Sequence, residues 1–126
     1  MQFKPLDPPR KFEVSGAGLK LELADCGSLD LNPDEQVTFT TDSGGQYDVT
    51  RKSWGFYATP SINGRLKSFG LRGALVVSKF GKIFLMLVEA GKESEFFTYI
   101  NSDLQSFLCW LDEDQEVERI TRLLKK

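Results

Sequence analysis

Arg51, Tyr57 and Arg72 are the residues best suited by type and spacing to hold an anion. An arginine donates two parallel hydrogen bonds from its planar fork to a phosphate or carboxylate. A tyrosine beside it supplies a stacking face and a hydroxyl. Their setting strengthens the case. The forty residues between Asp48 and Glu89 contain no carboxylate, yet hold Arg51, Lys52, Arg65, Lys67, Arg72, Lys79 and Lys82. The remainder carries nine basic and eighteen acidic residues, so a net charge of −2 conceals about +7 in the middle and −9 at the two ends. Such asymmetry marks a surface for an anionic partner.

The turn dipeptide Asn63-Gly64 sets how these residues would be displayed, because a two-residue hairpin turn needs positive φ at both positions. A regular hairpin about it pairs Ile62 with Arg65, Tyr57 with Gly70 and Gly55 with Arg72. One face then holds Lys52, Trp54, Phe56, Ala58, Phe69, Leu71 and Leu75, and reads as core. The other holds Arg51, Ser53, Tyr57, Thr59, Ser68 and Arg72, polar and cationic. Gly55, Gly70 and Gly73 would leave space for a ligand beside the arginines. Pro60 interrupts the first arm, and a single bulge would reverse the parity. The site expected from the sequence is therefore Arg51, Tyr57 and Arg72 with Ser53, Thr59 and Ser68. Its function would be non-catalytic binding of a small anionic metabolite such as a phosphorylated sugar or nucleotide-sugar.

Two other readings stand beside it. In one, the chain is a protein–protein adaptor, using its basic surface or its C-terminal helix, which could equally serve as a homodimer element. In the other it is a histidine-free isomerase or lyase with Tyr57 or a lysine acting with Asp25 as base. The chain contains no histidine. That removes the commonest general acid–base and metal ligand, and with them histidine-metal and Ser–His–Asp chemistry. Thr41-Asp42-Ser43-Gly44-Gly45 resembles the Gly-Asp-Ser-Gly-Gly segment around the nucleophile of chymotrypsin-like proteases, over four residues only. Without a histidine, Ser43 has no conventional base, and the segment reads as a hairpin loop.

Asp30, Asp34 and Glu35, and Asp112-Glu113-Asp114, lack the alternating spacing of a calcium loop. They read as a solvated turn and a helix N-terminus. Gly16 and Gly18 do not make a dinucleotide fingerprint without a third glycine and a following helix. No metal or cofactor is expected. Nucleic acid is disfavoured by a pI near 5.2 and by acidic flanks that repel phosphate. No apolar run reaches transmembrane length. The N-terminus lacks the apolar stretch of a signal peptide, and Cys26 and Cys109 form no disulfide framework or zinc spacing. A cytoplasmic protein with two reduced cysteines is the expectation, with Cys109 buried.

The elements that must position these residues are mostly strands. The 126 residues suit one domain, with ten phenylalanines filling an aromatic core. Residues 1–10, with Pro5, Pro8 and Pro9, read as an extended lead-in. Alternation at period two then marks strands around Phe12 and Val14, and Leu19, Leu21 and Leu23. A turn at Gly16-Ala17-Gly18 separates them. Leu29 and Leu31 continue the pattern beyond a break at Asp25-Cys26-Gly27. Further strands lie around Val37 and Phe39, Tyr47 and Val49, Ala74 to Val77, Ile83 to Val88 and Gln105 to Leu111. Phe96, Phe97 and Ile100 share one face of a short helix after Gly91. Residues 112–126 form an amphipathic helix with Val117, Ile120, Leu123 and Leu124 on one face. The fold expected is mainly β, a single antiparallel β-sandwich or barrel-like domain with two appended helices. In general shape this is similar to sugar-binding or cupin-like sandwiches. The metal motif of the cupins is missing, so no catalytic residue carries across.

Overall fold

A computed structural model describes residues 1–16 and 19–125, with the side chains of residues 15–20 left aside. The turn expected at Gly16-Ala17-Gly18 includes residues outside this set. The chain is mainly β, as its alternation predicts. Eight strands, β1 (Gln2–Gly16), β2 (Leu19–Asp30), β3 (Gln36–Thr40), β4 (Gln46–Lys52), β5 (Gly55–Ala58), β6 (Leu71–Val77), β7 (Ile83–Glu89) and β8 (Ser106–Trp110), are joined by three helices, α1 (Arg65–Ser68), α2 (Glu93–Ser102) and α3 (Asp114–Leu124). They form three antiparallel sheets, β1-β2, β3-β4-β5 and β7-β6-β8. Among the described residues no sheet closes into a barrel.

The expected lead-in is instead the first half of a long ribbon. Gln2 to Pro5 pair with Asp30 to Gly27, and Arg10 to Gly16 pair with Asp25 to Leu19. The prolines are accommodated because the register shifts between Pro5 and Arg10, and proline is tolerated where a ladder is interrupted or at an edge. The Met1 amino group pairs with Glu35 at 2.9 Å, tying the base of the ribbon to the turn before β3.

The core lies between β6-β7-β8 and α2. Ala74, Val76, Val88, Phe96, Ile100 and Trp110 are buried there, with Met86, Phe97 and Phe107 packed around them. Phe96, Phe97, Phe107 and Trp110 stack on one another with centroids 5.1–6.5 Å apart, mostly tilted or edge-to-face. That geometry matches ring edges to ring faces. α2 forms where the period changes from two to 3.6 residues, which sets Phe96 and Ile100 on its buried side. Acidic Glu93 and Glu95 open it, complementing the helix dipole. Cys109 is buried and Cys26 exposed, both free.

The hairpin about Asn63-Gly64 is not formed. Gly64 has φ −135° and precedes α1, and Asn63 is not in the positive-φ region. Three local causes redirect the chain. Pro60 is fully buried and follows the end of β5, where its missing N–H cannot extend the ladder. The Ser61 hydroxyl accepts the Arg65 amide at 3.0 Å and its carbonyl the Leu66 amide at 3.1 Å. Leu66 is then fully buried, anchoring the single helical turn. The hairpin in this region closes earlier, at Ser53-Trp54, because Lys52 pairs with Gly55. Gly55 takes φ +148° there, a conformation a side chain would resist.

Candidate functional site

The revised register redistributes every residue of the expected anion site. Arg51 pairs with Phe56, and Thr50 with Tyr57. Arg51 therefore shares a sheet face with Phe56, while Tyr57 lies on the opposite one. Ser53 is in the β4-β5 turn, Thr59 follows β5 and donates to Asp48, and Ser68 ends α1. Arg72 is in a different sheet, opposite Val88. Trp54 and Phe56, expected in the core, are 71% and 63% exposed.

Arg72 is bound within the fold. Its Nε and Nη2 donate to Asp112 at 2.9 and 3.1 Å, and Nη1 donates to Glu93 at 3.3 Å. Its guanidinium lies 3.9 Å from the centroid of the Trp110 ring. Hydrogen bonding to Asp112 is the first cause raising the Arg72 pKa above the usual arginine value. The space expected beside it is also taken: a Cβ added at Gly73 would lie 2.8 Å from Ile62. The sequence held the acidic partners of Arg72 in plain view, at Glu93 and Asp112, but only the fold brings them together.

The Ser43 loop does gather polar chemistry. Lys92 Nζ donates to Ser43 Oγ at 3.1 Å, and Ser43 Oγ donates to Glu89 at 3.1 Å. Thr41 Oγ1 also donates to Glu89, and Lys92 pairs with Glu89 at 2.8 Å. A serine beside a lysine invites comparison with a nucleophile and its base. The electrostatics run the other way. Hydrogen bonding to Glu89 raises the Lys92 pKa above that of an ordinary lysine, and the same bond lowers that of Glu89. The ammonium keeps its proton and offers no lone pair to Ser43. The cluster ties the β3-β4 loop to the end of β7.

What the three sheets share is an apolar face left in solvent. In the ribbon, Phe3 and Leu29 are paired, as are Phe12 with Leu23 and Val14 with Leu21. Alternation along β2 puts Leu21, Leu23 and Leu29, with their β1 partners, on one face, where Phe3, Val14, Leu23 and Leu29 are exposed. The opposite face carries the Lys4–Asp30 and Lys11–Glu22 ion pairs. In β3-β4-β5, Phe39 pairs with Tyr47 and Val37 with Val49, on the Arg51 and Phe56 side. Phe39, Tyr47, Leu71 and Leu87 line an open cleft of about 310 Å³ between this sheet and the next. In β7, Ile83 and Leu85 are exposed, and Phe80 at the hairpin tip is 81% exposed. No residue of α3 is buried. Val117 and Ile120 line a shallow pocket with Ile62 and Leu111, while Leu123 and Leu124 remain exposed. The signal for this surface was present in the alternation itself. Period two marks which face is apolar, but not whether anything covers it.

Among the described residues no group of three or more acidic or thiol side chains could hold a metal ion, and no helix is long and apolar enough to cross a membrane. Comparison with known proteins finds no matching family model, no matching curated protein and no matching solved structure.

Proposed function

We propose that this chain is a non-catalytic protein–protein interaction module. The observation that carries this reading is the area of its surface. The chain exposes 9033 Å². A folded monomer of 14.2 kDa ordinarily exposes about 6,800 Å². The excess is roughly 2,200 Å², well above the ~800 Å² that each partner of a stable complex buries. Large aromatic and aliphatic side chains stand exposed on that surface, and their grouping into patches marks interaction surfaces.

Two parts of the surface suit a protein partner. The face of β3-β4-β5 bearing Phe39 and Phe56 offers aromatic anchors, the residue type enriched at interface cores. The end of α3 offers Leu123 and Leu124, suited to a helix-binding groove. The small-anion reading draws little support from the geometry, since Arg72 already pairs with the carboxylates of Asp112, Glu93 and Glu113, and Arg51 belongs to another sheet.

Titration of the folded protein with a fluorescent hydrophobic dye, alongside sedimentation velocity, tests the proposal. Self-association, or a folded monomer that binds dye strongly, is expected. A compact folded monomer that binds no dye would sink it.

A further inference from the structure

The β1-β2 ribbon carries a pattern that names its own partner. Resting on the interaction-module reading, we infer that the apolar face of the ribbon packs against the same face of a second copy of this chain. A two-stranded ribbon alone is marginally stable in water. Here the ribbon forms a sheet of its own with one face apolar and uncovered. Stacking two such faces makes a four-stranded, two-layer unit, with sheets about 10 Å apart and apolar side chains between them.

Charge chooses the occupant and the orientation. Along the apolar face, the order is Phe3–Leu29, then the irregular stretch, then Arg10–Asp25, Phe12–Leu23 and Val14–Leu21. The face is thus apolar at both ends with one ionic rung between. Arg10 reaches Asp25 at 3.5 Å, and both side chains are still solvent-accessible. A two-fold axis along the ribbon, midway between the layers, lays β1 of each copy over β2 of the other. Arg10 then faces the second copy's Asp25 and Asp25 its Arg10, so both charges find opposite partners. Phe12 faces Leu23, Phe3 faces Leu29, and Val14 faces Leu21. With the axis across the ribbon at that rung, Arg10 would face Arg10 and Asp25 would face Asp25. The longitudinal two-fold is the isologous arrangement that the charges permit.

The area sets the expected strength. The eleven paired positions at ~3.3 Å each make a face about 36 Å long and ~10 Å wide. Two such faces bury on the order of 700 Å², below the ~1,200 Å² at which standard specific interfaces begin, so a weak dimer dissociating in the upper micromolar range is expected.

Sedimentation equilibrium of the full chain, from about 1 to 500 µM to bracket that range, measures it. Wild type should dimerise. Leu23→Lys should abolish dimerisation, and Lys11→Glu on the polar face should not. Arg10→Asp and Asp25→Arg should each weaken self-association at least tenfold, by setting like charges against one another. An equimolar mixture of those two variants should recover wild-type affinity, because every facing pair is again opposite in sign. Circular dichroism of each variant checks that the fold is kept. A folded wild type that stays monomeric throughout overturns the inference, as does a dimer indifferent to Leu23→Lys. If that monomer binds hydrophobic dye, only the second-copy partner is lost and the interaction-module reading stands. If it binds none, both fall. A dimer whose mixed variants fail to recover overturns the longitudinal two-fold.

Discussion

The β6-β7-β8 sheet and the β1-β2 ribbon both begin from strands with an apolar face and end in opposite states. The ribbon alternates and presents one apolar face, whereas β7 is apolar on both faces and turns its Met86 and Val88 side inward. In the sheet, α2 follows β7 after a short turn and lays Phe96 and Ile100 onto that inward side. In the ribbon, the strands are followed by a turn and another strand, and among the described residues no helix covers it. Amphipathicity specifies which way side chains point, whereas a core requires a second layer. The difference between the two regions is that second layer. Ion pairs follow the same division. Arg72 is held between carboxylates over a buried indole, while Arg10 and Asp25 meet in solvent.

Substitution should separate the regions most sharply in the aromatic core. Phe96→Ala should lower the unfolding free energy measured in urea by about 3–5 kcal/mol, as for other buried rings. Arg72→Ala is expected to come next, costing about 3 kcal/mol, because it leaves the Asp112 side chain, 4% exposed, without its partner. Arg72→Lys should recover only part of this, since a point charge cannot replace the fork.

Acid provides a gentler probe of the covered region. Glu89 is held below its usual pKa first by the Lys92 hydrogen bond, and Glu93 first by backbone hydrogen bonding at its own amide. A depressed carboxylate pKa contributes stability that is present above the unfolded value, near 4.3, and lost as pH falls through the folded value. Tm should therefore decline as pH drops below about 4, and Lys92→Met should flatten part of that decline. Smallest of all should be substitutions on the exposed faces. Phe56→Ala or Ile83→Ser should shift stability of the dilute protein by within about 0.5 kcal/mol, as expected where nothing is buried. A loss of several kcal/mol at Phe56 would mean that its face is covered within the monomer, erasing the contrast.

The strands were largely legible because period two survives in Leu21, Leu23, Val37 and Phe39, and because Ala74–Val77 and Ile83–Val88 are short, continuously apolar runs of strand length. α2 and α3 were legible through the change of period and their acidic N-terminal turns. The sheet pairing was less so. Asn63-Gly64 carries the composition of a tight hairpin turn, yet Pro60, Ser61 and buried Leu66 act together to start a helical turn instead. A dipeptide preference is worth less than a buried leucine and a redirected backbone. The candidate anion site depended on that one register, so its residues dispersed when the turn moved by ten positions to Ser53-Trp54. The partners of Arg72 escaped sequence reasoning because they lie 21 and 40 residues away, on elements whose docking no local pattern encodes. Glycines read as openings for a ligand proved to be sites of close packing at Gly73 and of positive φ at Gly70.

The placement of the two tryptophans gives the molecule a built-in optical readout. Trp110 lies buried beneath a guanidinium, whereas Trp54 stands in solvent at a hairpin turn. Emission from Trp54 should be red-shifted and open to quenching by iodide, and emission from Trp110 blue-shifted and shielded. Occupation of the β3-β4-β5 face by a partner would register in the first, and loosening of the aromatic core in the second. A single unlabelled sample could thus follow association and unfolding separately, each in its own part of the spectrum.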